Sequence, residues 1–523
     1  MVMKGLLMSS IPNEKIRLLR RKIQESLRVQ LGTDGIKYID ASNNMDDASS
    51  KQNHVIFARR GCGKTLLLHS SAEISAEFIG VVYLNCEDFK QHSFPNVLIE
   101  ILKSIFLEID KNIVGWFGKK KNSKQIIKQI IEKLKSIQSE QDEVSENIKA
   151  TDAYNTSDSA NLEAALGGKL INLKGGAKSS EERKAEIEKT YTLYRKKLEK
   201  LELWIPELKR NIRDFIELST KRNSIFIQVD DLYHLKRTDQ AFVVDYIHRL
   251  CKDVPMFFKI ATLRHASVLY IDRQGQPIGA QERHDYQSVN IDYTFNEFSK
   301  TESQNWIILQ SFATSVGMSD VELNSLFKGE GFARLVMSGG GVPRDVLSLF
   351  LEILSQTDLE KDGKIGKDEV RLLSKANFEK RIEELKHDSQ NDEQLALLRG
   401  IYLIKTFCLE KQTNVFLIKE QELQENEIWR ALIYRLLDYR IIHNCATTLT
   451  HKSTTDGSYS AFAIDIGAYA FMRKHQDRFK EIDVSLKDAK DRMRSMPILN
   501  PDSFGELVQT IPDNIELAIL EES

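Results

Sequence analysis

Residues 54–65 read HVIFARRGCGKT: a short apolar run, then a turn with two glycines, then a lysine and a threonine. A helical pattern of apolar residues follows, so the turn lies between a strand and a helix. Its last three residues, Gly63, Lys64 and Thr65, match the phosphate-loop pattern GxxxxGK followed by Ser or Thr. Ala58 stands where that pattern has its first glycine. The segment predicts a phosphate-binding loop after a strand.

The residue types of this loop suit a phosphate chain. Gly61 and Gly63 let backbone N–H groups curl around phosphate oxygens, and the next helix directs its positive end toward the anion. Lys64 would contact the outer phosphates, and the Thr65 hydroxyl would contact magnesium. The predicted nucleotide-binding residues are Ala58, Arg59, Arg60, Gly61, Cys62, Gly63, Lys64, Thr65 and Leu66.

A second apolar run, residues 224–229, ends in two carboxylates, Asp230 and Asp231. A nucleotide hydrolase needs such a strand end to hold magnesium and to polarise a water. Asp230 is therefore the predicted magnesium ligand together with Thr65, and Asp231 is predicted to orient or activate the water. Many such enzymes have Glu at the second position. The shorter Asp231 leaves slow hydrolysis, or none, open.

Two further residues are predicted to respond to the nucleotide. Thr262 ends the apolar run 257–261, where a polar side chain beside the acidic strand would position the attacking water. Arg344 lies in the first turn of a helix that begins after a glycine-rich turn, and it would contact the γ-phosphate. The alternatives are a locally packed threonine and an ordinary surface arginine.

These segments together resemble the AAA+ ATPases, in particular the origin-recognition and replication-initiator proteins. The matching segments are ARRGCGKT at 58–65, FIQVDD at 226–231, the strand ending at Thr262, and GVPRD at 341–345. The resemblance implies an α/β fold: a P-loop αβα sandwich with a parallel sheet, a helical lid, a large helical insertion and a C-terminal winged-helix domain. It also implies Walker roles for Lys64, Thr65 and Asp230 and sensor roles for Thr262 and Arg344.

Composition divides the 523 residues into five predicted segments. They are an N-terminal helical extension (1–52), an ATPase core (53–295) with a helical insertion (111–222), a helical lid (296–390), a winged-helix-like domain (391–475) and a tail (476–523). Within the insertion, the charged stretches 119–138 and 181–218 predict long helices, and the small polar residues between them predict a mobile segment.

The winged-helix-like segment leaves two roles equally open, DNA contact and a purely structural module. The candidates for double-stranded DNA contact are Arg430, Arg435, Arg440 and Lys452, while the apolar residues of the same helix are predicted to be core. The insertion 111–222 is the predicted surface for a protein partner, and a homo-oligomer stays open. No arginine finger stands out among Arg264, Arg273 and Arg283.

Composition excludes several classes of protein. Lys and Arg total 74 against 76 for Asp and Glu, a formal net charge of −2, which argues against a strongly basic coat but not against a local basic patch. The five cysteines form no CxxC pair, so a zinc site and a disulfide framework are disfavoured. No apolar stretch reaches the length of a membrane span, and no signal peptide is recognised. We expect no membrane partner and a cytoplasmic location.

One calcium-like pattern has a simpler explanation. Residues 358–369 place oxygen side chains at EF-hand positions one, three, five and twelve and a glycine at six. A polar turn between two lid helices explains the same residues, and we favour that interpretation.

The sequence therefore predicts an ATPase that uses ATP and Mg²⁺ and acts as a nucleotide-dependent switch on DNA or in a DNA-associated complex. Its hydrolysis is expected to be slow or partner-stimulated. The alternative is a nucleotide-switched signalling or anti-phage defence ATPase that regulates a protein partner without binding DNA. A metabolic kinase is disfavoured because no motif for a small-substrate pocket appears.

Overall fold

A computed structural model describes most of the chain. The described residues are 13–27, 38–40, 43–75, 79–92, 94–113, 118–139, 180–218, 222–273, 276–356, 364–388, 391–454, 456–470, 479–502, 511–512 and 514–520. The small polar centre of the insertion and the first half of the calcium-like pattern lie outside them. The described residues form two compact units, one between 43 and 292 and the other comprising 13–40 and 293–520.

The first unit is built on seven described strands. They are β1 His54–Phe57, β2 Ile79–Asn85, β3 Ser224–Asp230, β4 Met256–Thr262, β5 Tyr270–Arg273, β6 Gln276–Gly279 and β7 Gln287–Asn290. Five of them form a parallel sheet of order β2-β3-β4-β1-β7. The other two form a separate antiparallel hairpin, β5-β6, which was not predicted. The strands predicted from the apolar runs at 54–57, 224–229 and 257–261 all lie in the parallel sheet, which confirms the predicted α/β class.

Six helices accompany this sheet in the described part of the first unit. They are Asn44–Ser49, Lys64–Ser75, Phe94–Asn112, Lys119–Ser139, Ser180–Leu218 and Arg237–Cys251. Every residue of β3 is buried, as expected for a parallel strand covered on both faces. Because all five strands run in one direction, their carboxyl ends share one edge, where ligands bind in open α/β sheets.

The second unit combines helices with a three-stranded antiparallel sheet of order β8-β10-β9. The strands are β8 Val415–Lys419, β9 Ile442–Leu449 and β10 Tyr459–Ile464. The helices are Asn13–Ser26, Phe298–Ser315, Asp320–Ser325, Gly331–Ser338, Pro343–Gln356, Lys367–Asp388, Asn391–Glu410, Glu420–Glu425, Glu427–Asp438, Ala489–Met493 and Ile515–Leu520.

The predicted lid and winged-helix-like segments share one hydrophobic core within this second unit. The N-terminal helix joins it by burying Leu19 and Ile23 and by an ion pair of 2.7 Å between Lys15 and Glu322. The boundary between the two segments at residue 390 stays a prediction. No helix within the described ranges has both the length and the apolar character to cross a membrane.

Candidate functional site

The glycine turn after β1 adopts a conformation that its sequence requires. Gly61 and Gly63 have φ angles of +86° and +92°, which residues with a Cβ rarely adopt. The next helix begins at Lys64, and the Leu67 N–H donates to the Gly63 carbonyl at 2.9 Å. Ala58 has no positive φ. Alanine therefore fits at the position where the phosphate-loop pattern has its first glycine.

The Lys64 ammonium lies inside the turn. Its side chain is 5% exposed, and Nζ donates to the Ala58 carbonyl at 3.1 Å. The same atom lies 3.9 Å from Oδ1 of Asp231. The lysine is thus held between the loop backbone and the second carboxylate of the acidic strand.

Thr65 and Asp230 meet although 165 residues separate them in the sequence. The threonine hydroxyl donates to Oδ2 of Asp230 at 2.7 Å, and the Asp231 N–H donates to Oδ1 at 3.0 Å. Asp230 is only 2% exposed. Burial, followed by the charge of Asp231, raises its pKa, and the hydrogen bonds from Thr65 and Tyr83 and the charge of Lys64 only partly oppose that shift.

Tyr83 is a member of the site that the sequence did not reveal. It lies on β2, next to β3 in the sheet, and its hydroxyl donates to Oδ2 of Asp230 at 2.8 Å. Burial and the nearby Asp230 raise the pKa of Tyr83, so this hydroxyl remains a donor at neutral pH. The available signal was a tyrosine inside the apolar run GVVYLN, close to the strand end.

Asp231 adopts left-handed backbone angles, φ 50° and ψ 47°. Aspartate tolerates this region better than most residues with a Cβ, at a cost of about 1 kcal/mol or more. A backbone in this sparsely populated region is a feature that clusters at functional sites. With these backbone angles, the Asp231 carboxylate lies 3.9 Å from the Lys64 ammonium.

Arg59 connects the glycine turn to Asp292. Its guanidinium makes two hydrogen bonds to Asp292, at 2.7 and 2.8 Å, and its backbone N–H donates to the same carboxylate at 3.0 Å. Burial alone would raise the pKa of Asp292, but the Arg59 charge holds it below the usual value. Asp292 follows β7 and was not predicted from the sequence. The neighbouring Cys62 is buried, and burial raises the pKa of its thiol.

Arg60 and Lys64 both approach the ring of Tyr233. Nε of Arg60 donates to the Tyr233 hydroxyl at 3.0 Å, and the guanidinium carbon lies 5.1 Å from the ring centre. Nζ of Lys64 is 5.8 Å from the same ring. Tyr233, three residues after Asp230, therefore orders two cations of the loop.

Thr262 ends β4, which lies between β1 and β3 in the sheet. The side chain is fully buried, and its hydroxyl is hydrogen-bonded to that of Ser267. The Thr262 carbonyl accepts from the Ala58 N–H at 3.3 Å. The strand order thus brings Thr262, the predicted sensor, beside the glycine turn. Leu66, the last of the predicted nucleotide-binding residues, is half-buried in the first turn of the helix Lys64–Ser75.

Arg344 is exposed in the first turn of Pro343–Gln356, in the second unit. Its predicted contact with a γ-phosphate stays a prediction. Among the three arginine-finger candidates, Arg264 lies with its guanidinium carbon 4.2 Å from the ring centre of Phe57. Arg273 ends β5 and Arg283 has a φ of +71°. These positions do not favour one of the three as the arginine finger.

The predicted DNA-contact residues are engaged within the protein. Arg440 was expected to be exposed, and this expectation was wrong: its side chain is 3% exposed, bonded to Glu384 and 3.4 Å from Asp345. Lys452 is 2.8 Å from Asp491. Arg430 donates to the Gln424 carbonyl at 3.0 Å, and Arg435 stacks on Tyr439 at 5.4 Å.

The core of the same helix follows the prediction. Four apolar residues of Glu427–Asp438 are buried, namely Trp429, Leu432, Ile433 and Leu436. The burial of Arg440 could not be seen from the sequence because its carboxylate partners lie on distant helices.

The oxygen atoms of Thr65 and Asp230 suit a magnesium ion. Mg²⁺ binds through one or two carboxylates and completes its shell with water and substrate phosphates. Among the described residues, no group of three or more His, Cys, Asp or Glu side chains is arranged to hold a metal by itself. A hydroxyl and a carboxylate 2.7 Å apart at the end of the glycine turn therefore fit an ion shared with a phosphate-bearing ligand.

Comparisons with known proteins find similar solved structures at low identity. No protein-family model matches the sequence, and no curated protein matches it significantly. A Walker-type ATPase of Pyrococcus abyssi has a TM-score of 0.37 and 12% identity, over 88% of this chain and 95% of that one. The Orc1 protein of Aeropyrum pernix, in complex with DNA, has a TM-score of 0.31 and 13% identity, over 92% and 93%.

Both TM-scores lie below 0.5, so the function proposed below rests on the geometry of this chain. The chain is similar in structure, at low sequence identity, to a Walker-type ATPase and to an Orc1 protein.

Proposed function

We propose that this chain binds ATP with Mg²⁺ and hydrolyses it slowly, as a nucleotide-dependent switch. The observation that carries the proposal is the 2.7 Å contact between Thr65 and Asp230 behind a turn whose two glycines have positive φ. Backbone N–H groups of such a turn bind phosphate oxygens. Lys64, which bonds to the same turn, adds a charge for the outer phosphates.

The proposed chemistry divides between the two carboxylates. Asp230 and Thr65 would hold the magnesium ion, and the bound ion would neutralise charge that develops on the phosphates. Asp231 orients the attacking water and accepts its proton. Thr262, at the end of the neighbouring strand, would help to position that water. Because aspartate is one methylene shorter than glutamate, we expect turnover at the slow end of nucleotide hydrolases.

The test is Mg²⁺-dependent ATP binding and turnover of the full chain. Lys64→Ala should lower turnover by about 100-fold or more, because the loss of a transition-state charge contact costs about 3 kcal/mol. Thr65→Ala should lose the magnesium dependence, and Thr65→Ser should keep it. The control is Lys51→Ala, which removes an exposed lysine of the same unit. Absence of ATP binding by the wild-type chain would refute the proposal.

The proposed switch acts on DNA or in a DNA-associated complex, and the alternative is regulation of a protein partner. The helices Glu420–Glu425 and Glu427–Asp438 do not favour DNA contact at their own surface. Together they carry five carboxylates and two arginines, a poor match to a phosphate backbone. A DNA-associated role therefore needs another surface.

Turnover with and without double-stranded DNA separates the two roles. Stimulation by DNA would favour the DNA-associated switch. ATP turnover that is unchanged by DNA would favour the signalling alternative, in which bound nucleotide controls contact with a protein partner.

A further inference from the structure

The helix Lys119–Ser139 in the insertion is strongly basic. Its 21 residues contain seven lysines and one carboxylate, Glu132, within a chain whose formal net charge is only −2. The first turn carries Lys119, Lys120 and Lys121 and no acid. Lysines at a helix N-terminus oppose the helix dipole and cost stability. This charge distribution is therefore not explained by helix stability.

The apolar face of this helix is already used inside the protein. Its buried residues are Ser123, Ile127, Ile130, Leu134 and Ile137, and the helix packs along Phe94–Asn112. Lys133 also has an internal partner, because its ammonium lies 3.8 Å from the ring centre of Trp204. What remains for a partner is the opposite, exposed side.

Four lysines form a stripe on that side: Lys121, Lys124, Lys128 and Lys135, called the lysine stripe below. All four are exposed, and in the described ranges no carboxylate lies within ion-pair distance of them. At 3.6 residues per turn they fall within an arc of about 60° and extend over about 21 Å. Glu132 is exposed on the same side, but four lysines against this one carboxylate leave the stripe with a net positive charge.

We propose that the lysine stripe binds the phosphate backbone of double-stranded DNA without reading its sequence. A duplex segment of about 21 Å carries about six phosphates on each strand, at about 3.4 Å of axis per phosphate, so all four ammonium groups can find a phosphate partner. Lysine ammonium groups supply the charge for such contacts, and the absence of planar base-reading side chains in the row predicts no sequence preference. The surface does not depend on the nucleotide chemistry at Lys64.

Two other polyanions fit this helix less well. A membrane-surface helix inserts its apolar face into the lipid headgroups, but here that face is buried against Phe94–Asn112. Single-stranded nucleic acid is usually held by stacking on aromatic side chains, and the helix contains no aromatic residue. A row of charges with no apolar residue inside its arc of about 60° fits a duplex backbone.

The test uses the full chain without ATP and a fluorescent duplex of mixed sequence, titrated at several salt concentrations. The stripe variant replaces Lys121, Lys124, Lys128 and Lys135 with Gln, which keeps helix propensity. The control variant replaces four exposed lysines elsewhere with Gln, Lys90, Lys252, Lys411 and Lys487, and so removes the same total charge. A third variant replaces Arg430, Arg435 and Lys452 with Gln.

We expect the stripe variant to bind at least about tenfold more weakly near 0.1 M salt and to lower the salt slope by about 3 to 4. The control variant should bind within about twofold of the wild-type chain. Thermal unfolding of the stripe variant should be nearly unchanged, because Gln keeps helix propensity and only Lys121 lies in the first turn, where a positive charge opposes the helix dipole. Its ATP turnover without DNA should equal that of the wild-type chain.

Three results would overturn the proposal. The first is wild-type-like DNA binding by the stripe variant. The second is loss of binding only in the Arg430, Arg435 and Lys452 variant, which would return DNA contact to the winged-helix-like segment. The third is no duplex binding at low salt together with binding to vesicles that contain anionic lipid, which would make the partner a membrane surface. Each result is independent of whether the chain hydrolyses ATP.

Discussion

Two buried aspartates, Asp230 in the first unit and Asp465 in the second, have opposite electrostatic surroundings. Asp230 accepts hydrogen bonds from two neutral side-chain donors, Thr65 and Tyr83, and burial raises its pKa. Asp465 is paired with Arg381 and lies 2.9 Å from Nε2 of His443. Burial alone would raise the pKa of Asp465, but the Arg381 charge and the His443 hydrogen bond hold it below the usual value.

The Arg381 network is fully internal. Arg381 donates to the carbonyls of Ser338 at 3.0 Å and Arg440 at 3.1 Å, and to Asp345 at 3.3 Å. Its side chain is 1% exposed. The network joins the helix Lys367–Asp388, the start of Pro343–Gln356 and the loop after β10. These partners come from three segments of the same unit, so the network stabilises their packing.

The comparison separates two uses of a buried carboxylate. A carboxylate that is paired with a cation is satisfied, and removal of its partner leaves an uncompensated charge. A carboxylate whose side-chain hydrogen-bond donors are neutral keeps affinity for an external cation. Asp230 belongs to the second kind, which is why we assign it to magnesium.

The largest expected effect is on turnover in Asp230→Asn. The amide still accepts from Thr65 and Tyr83 but cannot bind Mg²⁺ as a charged ligand, so turnover should fall by about 100-fold or more. Thermal unfolding should occur at the same or a higher temperature, because the substitution removes a charge that burial and the neighbouring Asp231 disfavour. Parallel loss of stability and activity would show that Asp230 is a structural residue like Asp465.

The second expected effect is on stability in Arg381→Met. Removal of the guanidinium leaves Asp465 charged and buried, which should lower the free energy of unfolding by about 3–5 kcal/mol. Chemical denaturation measures it. Lys380→Met on the same helix is the matched control, because its ion pair with Glu352 is exposed and should contribute less than about 1 kcal/mol. Equal effects of the two variants would contradict the role of the network.

The third prediction concerns pH and the buried pair of Lys259 and His54. Nζ of Lys259 donates to the Ser50 carbonyl at 2.6 Å and lies 2.9 Å from Nδ1 of His54. Burial lowers the pKa of Lys259 to about 7, against the opposing charge of Asp47. Burial and the Lys259 charge lower the pKa of His54 to about 4.

The sign of the pH effect follows from proton uptake on unfolding. Lysine in an unfolded chain titrates near about 10.4 and histidine near about 6.5. The unfolded state therefore binds more protons from about pH 4 to 6.5 and again from about pH 7 to 10, and stability should rise with pH in both ranges. Lys259→Met should flatten the upper rise in denaturation curves. An unchanged upper rise would show that Lys259 titrates normally in the folded protein.

The smallest predicted effect is that of Gly340→Ala near the network. Gly340 has a φ of +62°, and an added Cβ would lie 2.8 Å from Cε1 of His443. Gly317 has a φ of +71° with nothing within 4 Å of an added Cβ. Gly317→Ala should cost about 1–2 kcal/mol for the left-handed backbone alone, and Gly340→Ala should cost more. Equal melting temperatures for the two variants would mean that His443 moves to accommodate the extra methyl group without a loss of stability.

Local patterns predicted the elements of the site. The strand and glycine turn before Lys64 were predicted because each requires particular residue types: apolar side chains for a buried strand and glycines for positive φ. The lysine and threonine that follow are the types that suit phosphate and metal. The strand that ends at Asp230 was visible for the same reason. Three central strands of the parallel sheet, β1, β3 and β4, were therefore predicted, whereas the β5-β6 hairpin, with its short and half-exposed strands, was not.

The sequence by itself determined which backbone segments could form a phosphate loop, an acidic strand end and the buried strands, because these depend on neighbours within a few residues. Only the tertiary structure decided which side chains complete the site. Tyr83 reaches Asp230, and Arg59 reaches Asp292, across 147 and 233 residues of sequence, and the burial of Arg440 depends on a helix 56 residues away. Such contacts depend on strand order and helix packing, which no local pattern of residues encodes.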